Sequence, residues 1–145
     1  MVRGPGIPAG STTDRLALNT DYFPTFTDLA GIQTPSYADG RSLRPVLRAR
    51  DTTTWRTAIL LEGQKSDEPH ISNSESYFGI RTNSETKYVE YQGGFKEYYD
   101  LTADPNELRN AYEATTPPRV LVSRLEALKN CSGEACRKAE SGQEQ

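Results

Sequence analysis

Cys131 and Cys136, in the stretch CSGEACRK, are the pair whose type and spacing most readily suggest chemistry. Four residues separate them, against the two of a thioredoxin-type motif, and a zinc site would need two further ligands. His70 is the single histidine and cannot fill that gap alone. A structural disulfide is therefore favoured over two free thiols, and it implies an oxidising compartment. His70 itself lies in QKSDEPHISNSES beside Asp67, Glu68 and Ser72. An imidazole there could move protons or touch a substrate, against the plainer reading of a solvated loop residue. Asp100 and Asp104 resemble a carboxylate pair, but Asp104 reads better as a helix cap. Trp55 with Tyr88, Tyr91, Tyr98 and Tyr99 suggests a sugar-stacking face less well than ordinary sheet packing. No G-x-S-x-G serine, phosphate-cradling loop or EF-hand run is present, and Asn130-Cys131-Ser132 fits the glycosylation sequon only formally. These residues supply no catalytic group and no metal ligand.

The elements that must position any site can be read from patterning. NTDYFPTFTDLAGI predicts a helix capped by Asn19 or Thr20, with Asp21 at the positive end of its dipole and Gly31 as its stop. Phe23, Phe26, Leu29 and Ala30 recur at helical spacing, so this helix should pack against something large. A short helical turn follows near Leu43–Leu47. Strands are expected at Arg56–Gly63, Tyr77–Asn83, Lys87–Gln92 and Lys96–Leu101, as a meander with a tight turn at NSET. TADPNELRN predicts a helix, with Asp104 as N-cap, Pro105 at the first position and Glu107 closing a capping box. A last helix starts with Pro117 at its first position and carries Leu121, Leu125 and Leu128 on one stripe. The tail from Ala139 to Gln145 is polar and expected to be disordered.

Composition narrows the partners. The 145 residues carry a formal net charge of −3 with acids and bases mixed, so neither nucleic-acid binding nor attraction to a membrane surface is indicated. No apolar run approaches the ~20 residues of a membrane span. The N-terminus lacks the apolar core of a signal peptide, which places the chain in the cytoplasm if Met1 is the true start. The opening MVRGPGIPAG speaks against that start. Such a run of Gly and Pro normally closes a strand, and almost none precedes it.

In order, VRGPGIPAG, NTDYFPTFTDLAGI, DGRSL, WR, GIRTNSETKYVEY, EYYDLTADPNELRN and CSGEAC resemble the C-terminal portion of a type I sulfatase, in the branch of glucosamine-6-sulfatases and arylsulfatases. The resemblance implies an α+β segment: the end of an alkaline-phosphatase-like α/β domain, then a small four-stranded antiparallel sheet with a packed C-terminal helix. It divides the chain into 1–38 from the α/β domain, 39–138 as the C-terminal subdomain, and a tail at 139–145. It also implies that the fold does not begin at Met1 and that the parent is exported. The formylglycine nucleophile, made from Cys-Xaa-Pro-Ser-Arg, and the calcium ligands belong upstream; neither cysteine here is followed by Pro-Ser-Arg. No cofactor is therefore expected in this chain, only in a full-length parent.

The implied partners are an N-terminal sulfatase domain and a sulfated glycan, with association through the apolar face around Phe23, Phe26 and Leu29. The Gln64–Ser76 loop with His70 is the candidate substrate contact. The leading reading is a C-terminal part of a sulfate-ester hydrolase that is inactive alone. A stand-alone binding module, or a half that assembles with a separate N-terminal half, is the alternative.

Overall fold

A computed structural model describes residues 1–48, 54–65 and 75–142. The elements run α1 (Tyr22–Ala30), α2 (Arg44–Leu47), β1 (Ala58–Gly63), β2 (Tyr77–Thr82), β3 (Thr86–Tyr91), β4 (Lys96–Asp100), α3 (Arg119–Lys129) and α4 (Glu134–Ser141), with a 3-10 turn at Asn19–Asp21 leading into α1. They form two compact units, one drawn from Met1–Thr57 with Cys131–Gln145, the other from Ala58–Asn130.

The second unit is the antiparallel meander β1-β2-β3-β4. Its hairpins are local because short β-rich runs alternate with turn residues. Between β2 and β3 the chain turns through Asn83–Glu85, with Glu85 in the left-handed region at φ 58. The Thr82 hydroxyl accepts from the Thr86 amide across that turn. Inward-facing Ala58, Ile80 and Tyr88 are buried, and α3 lies against β1 and β2 with Leu121, Leu125 and Leu128 buried on the stripe read from the sequence. Gly79 is required by close approach: a Cβ there would sit 2.9 Å from the Tyr88 carbonyl oxygen. Helix α3 starts later than expected, because Pro118 keeps an extended ψ of 137 and serves as N-cap.

The helix expected at TADPNELRN does not form. Both Asp104 carboxylate oxygens accept backbone amides, from Leu108 and Arg109, which closes a turn. Glu107 takes a left-handed φ of 55 and pairs with Lys87 at 2.5 Å instead of reaching back to the cap. Beyond it the chain is held along β4: the Ala111 amide donates to the Tyr98 carbonyl, and the Asn110 side chain bridges Tyr98 and Lys96. Satisfying that strand edge outweighs a helix of two turns, which has little intrinsic stability.

The first unit is organised around buried charge. Arg56 donates from Nη1 and Nη2 to the two oxygens of Asp21 at 2.6 and 2.5 Å. Asp21 also accepts the backbone amides of Leu18 at 2.8 Å and Arg41 at 3.0 Å. On the other side of the guanidinium, Glu140 lies 3.0 Å from Arg56 Nε and 3.1 Å from Arg41. Asp21, Arg56 and Glu140 are 0, 1 and 5% exposed, so each has lost essentially all its hydration. Trp55 lies close to both guanidiniums and donates its indole N–H to the Leu16 carbonyl.

One expectation is extended and one corrected here. Asp21 stands at the N-terminus of α1 as expected, and it is also the buried counter-ion of Arg56. The tail is not disordered from Ala139, since α4 runs to Ser141 and buries Glu140. The expected disulfide joins Cys131 and Cys136 at the start of α4. Gly133, in that loop, takes φ +56, and a Cβ there would collide with the Ser36 carbonyl. Its amide donates to Asp39 at 2.5 Å.

Helix α1 buries its polar side. Thr25 donates to the Asp21 carbonyl and accepts the Leu43 amide, so Pro24 and Thr25 face inward. The helix stops at Gly31, which is left-handed as expected. Phe23, Phe26 and Leu29 are 46, 66 and 56% exposed, which leaves the apolar face uncovered.

Glu140→Gln and Asp21→Asn should each cost about 3–5 kcal/mol, because each leaves a guanidinium buried without its full counter-charge. Urea unfolding of the two variants against the parent chain measures this; losses below about 1 kcal/mol would show that water reaches the cluster.

Candidate functional site

Pleating puts alternate residues of a strand on one face, and register decides which meet across strands. Glu62 of β1 is paired with Phe78 of β2, and Phe78 with Glu90 of β3. An acid–aromatic–acid row therefore crosses one end of the sheet. Lys129, from the last turn of α3, brings its ammonium 5.3 Å from the Phe78 ring centre, 2.7 Å from Glu126 and 3.8 Å from Glu90. These groups line an open groove of about 520 Å³, completed by Gln64, Lys65, Ser76, Tyr91 and Gln92. Ser76 fixes one wall, its hydroxyl accepting the Lys65 amide and its carbonyl accepting that of Gln92.

Glu90 is held in place by the Tyr88 hydroxyl at 2.7 Å and Lys96 Nζ at 2.9 Å. Burial alone would raise its pKa, but those two donors and the charge of Lys129 bring it below the usual carboxylate range. Donating to Glu90 raises the pKa of Lys96 in turn. Burial pushes the Tyr88 and Tyr91 hydroxyls up to about 12, so both remain protonated donors at neutral pH. The groove thus presents a carboxylate held by two donors, a partly exposed aromatic ring and an ammonium paired with Glu126.

His70, Asp67, Glu68 and Ser72 lie outside the described residues. The segment 66–74 that contains them joins Lys65 to Glu75. Asp100 and Asp104 are not a catalytic pair: Asp100 accepts the amides of Thr102 and Ala103, and Asp104 closes the next turn. Trp55, Tyr88 and Tyr99 are buried, in keeping with packing. Cys131 and Cys136 are tied to each other, and among the described residues no three His, Cys, Asp or Glu side chains converge on a metal position. The groove itself escaped the sequence reading. Its signal is that Glu62, Phe78 and Glu90 continue the inward-facing rows of Leu60, Ile80 and Tyr88 by two residues, to the last turn of α3, which has meaning only once register is known.

A four-stranded antiparallel sheet with a packed helix, found in this order along the chain, is the C-terminal architecture of sulfatases with the alkaline-phosphatase-like fold. The chain belongs to the family N-sulphoglucosamine sulphohydrolase, C-terminal, which matches residues 1–132. The N-acetylglucosamine-6-sulfatase of Capra hircus is 34% identical over 94% of this chain and 30% of its own length. The N-acetylglucosamine-6-O-sulfatase of Bacteroides thetaiotaomicron is 35% identical over 77% of this chain and 20% of its own. A solved structure of a protein in complex with its substrate D-glucosamine-2-N,6-O-disulfate superposes with a TM-score of 0.76 at 29% identity, over 96% of this chain and 28% of that one. The chain spans less than a third of the length of these relatives.

Because the pKa of Glu90 is lowered in the folded state, its partners stabilise the fold above the usual carboxylate pKa and cease to do so as pH falls through the lowered value. Glu90→Gln should cost about 1 kcal/mol at pH 7, with the difference from the parent shrinking toward pH 3. Urea midpoints at the two pH values test this, and a gap that widens on acidification would reverse the assignment.

Proposed function

We propose that this chain is the C-terminal, substrate-facing part of an enzyme that hydrolyses sulfate esters of amino sugars, with the chemistry supplied by a preceding catalytic domain. The observation that carries the reading is the alignment of 94% of the chain with the N-acetylglucosamine-6-sulfatase of Capra hircus. The residues agree with a non-catalytic share of the work. Both cysteines are consumed in a disulfide, so neither can be the formylglycine precursor that the resemblance implies. Formylglycine and calcium are assigned to the catalytic domain, as the resemblance implies.

That domain docks on α1. Phe23, Phe26, Leu29 and Ile32 form an exposed apolar face larger than scattered surface residues account for. The segment 64–76 then reaches the sulfated sugar, with His70 as the contact residue. Export of the whole enzyme is supported by the disulfide, which persists in oxidising compartments. No described helix is long and apolar enough to cross a membrane.

Sulfate release from N-acetylglucosamine-6-sulfate should be seen with the chain joined to its catalytic domain and not with the chain alone; release by the isolated chain would overturn the division of labour. In the joined enzyme His70→Ala should raise KM by about tenfold or more with a smaller change in kcat, the pattern of lost substrate binding. Phe26→Ser with Leu29→Ser should reduce recovery of the joined enzyme while leaving the urea midpoint of the isolated chain within about 0.5 kcal/mol, since both side chains are exposed there.

A further inference from the structure

Helix α4 has little of its own to keep it in place. It is eight residues long, EACRKAES, and a helix that short is marginal in water. Its N-cap, Gly133, offers no side-chain hydrogen bond, and only Cys136 and Glu140 are buried along it. No large apolar side chain anchors it, so its docking is polar. The Arg137 guanidinium donates to the Ala38 carbonyl, and Arg41 donates to the Arg137 carbonyl at 2.6 Å and to the Ser141 hydroxyl at 3.2 Å. The Thr57 amide donates to the Glu140 carbonyl at 2.7 Å, while the Glu140 carboxylate meets Arg41 and Arg56. Buried ionic contacts gain little over the hydration they replace, so they hold α4 only if it arrives already ordered. The disulfide supplies that order. It ties Cys131 to Cys136, the third residue of α4, around Gly133. Gly133, with its left-handed φ of +56 and its amide on Asp39 at 2.5 Å, sets the direction in which α4 departs.

We propose that the Cys131–Cys136 bond is a redox-sensitive clasp: oxidised, it keeps α4 docked on Arg41 and Arg56; reduced by a dithiol, it releases α4 and opens the first unit while the meander stays folded. Cys131 is half-buried and Cys136 is 8% exposed, so the reductant enters at Cys131. A thiolate of the dithiol attacks the Cys131 sulfur and displaces the Cys136 thiolate, which takes up a proton. The second thiol of the reagent then displaces Cys131 as a thiol and closes the oxidised dithiol ring, so that two electrons and two protons pass to the chain. The Gly133 turn must thereafter hold itself, and the buried acid of the cluster goes with α4. The meander is insulated from this event. Its strands pair with their sequence neighbours, and residues 58–130 contain no cysteine. The clasp is measured on the chain's own amides, whatever activity the joined enzyme has.

The test is amide hydrogen exchange of the full chain with and without about 5 mM dithiothreitol, followed residue by residue by NMR. The Thr57 amide reports on α4 through Glu140, and the Gly133 amide reports through Asp39. The amides of Tyr91, bonded to Phe95, and Gln92, bonded to Ser76, report on the meander. Reduction should speed exchange at Thr57 and Gly133 by at least about tenfold and leave Tyr91 and Gln92 within about twofold. Trp55, the single tryptophan, lies 5.7 and 5.4 Å from the Arg41 and Arg56 guanidinium carbons, so its emission should shift in the same step and return on reoxidation. Cys131→Ser, which keeps the buried Cys136 thiol as a small apolar group, should match the reduced chain and ignore the reductant. Equal exchange at Thr57 and Gly133 in the two forms would overturn the proposal. So would acceleration spread evenly over both units, or a bond that the dithiol does not reduce under native conditions.

Discussion

The pairing of Arg56 with Asp21, closed by Glu140 and Arg41, is the interaction on which the first unit depends. Arg56 and Asp21 are placed by different stretches of chain, and Glu140 arrives from a third. A buried guanidinium is tolerable when it is paired, and here the bidentate fork to Asp21 takes two donors while Glu140 lies 3.0 Å from Nε as an ion pair without a hydrogen bond at that atom. The cluster is neutral when all four groups are charged. Burial nevertheless raises the pKa of Glu140 above the usual carboxylate range, with Arg56 and Arg41 opposing that shift. An apolar core of the same volume could be as stable, so the value of the cluster lies in specificity: few other arrangements satisfy all four groups at once.

That constraint explains the orientation of α1. Because Asp21 must point inward, the polar side carrying Thr25 follows it, and the aromatic side turns outward. A helix judged by periodicity alone would have turned the other way. The exposed ring surface is therefore a consequence of the charge cluster rather than a defect in packing. It gives the chain an apolar surface of the kind that proteins reserve for partners.

Legibility in the sequence divided by distance along the chain. The meander was readable because each hairpin is decided by residues near one another: β-rich runs, Asn83–Glu85 at one turn, Gly93-Gly94 at the next. The three leucines of α3 were equally local. Failures came where a remote partner decides. The Asp104 capping signal was real, but β4 needed the following residues along its edge. Glu140 sits in a polar stretch that looks unstructured until Arg56 is placed beside it. The groove required register across three strands, which local pattern fixes only in part. His70 was chosen from residue type, and the geometry of its segment lies outside what the structure describes.

The chain leaves the first unit after Thr57 and returns to it at Cys131, so the second unit is spliced into the first. A ribosome synthesising this polypeptide releases Asp21, Arg41 and Arg56 long before Glu140, the acid that completes the cluster. The second unit, whose strands pair with their sequence neighbours, can reach its native topology during that interval. Arg56 can meet Asp21 in the meantime, but the first unit must wait with one guanidinium charge unmatched. Its closure is therefore a late event in biogenesis, waiting on α4, whose first turn is tied by the link between Cys131 and Cys136.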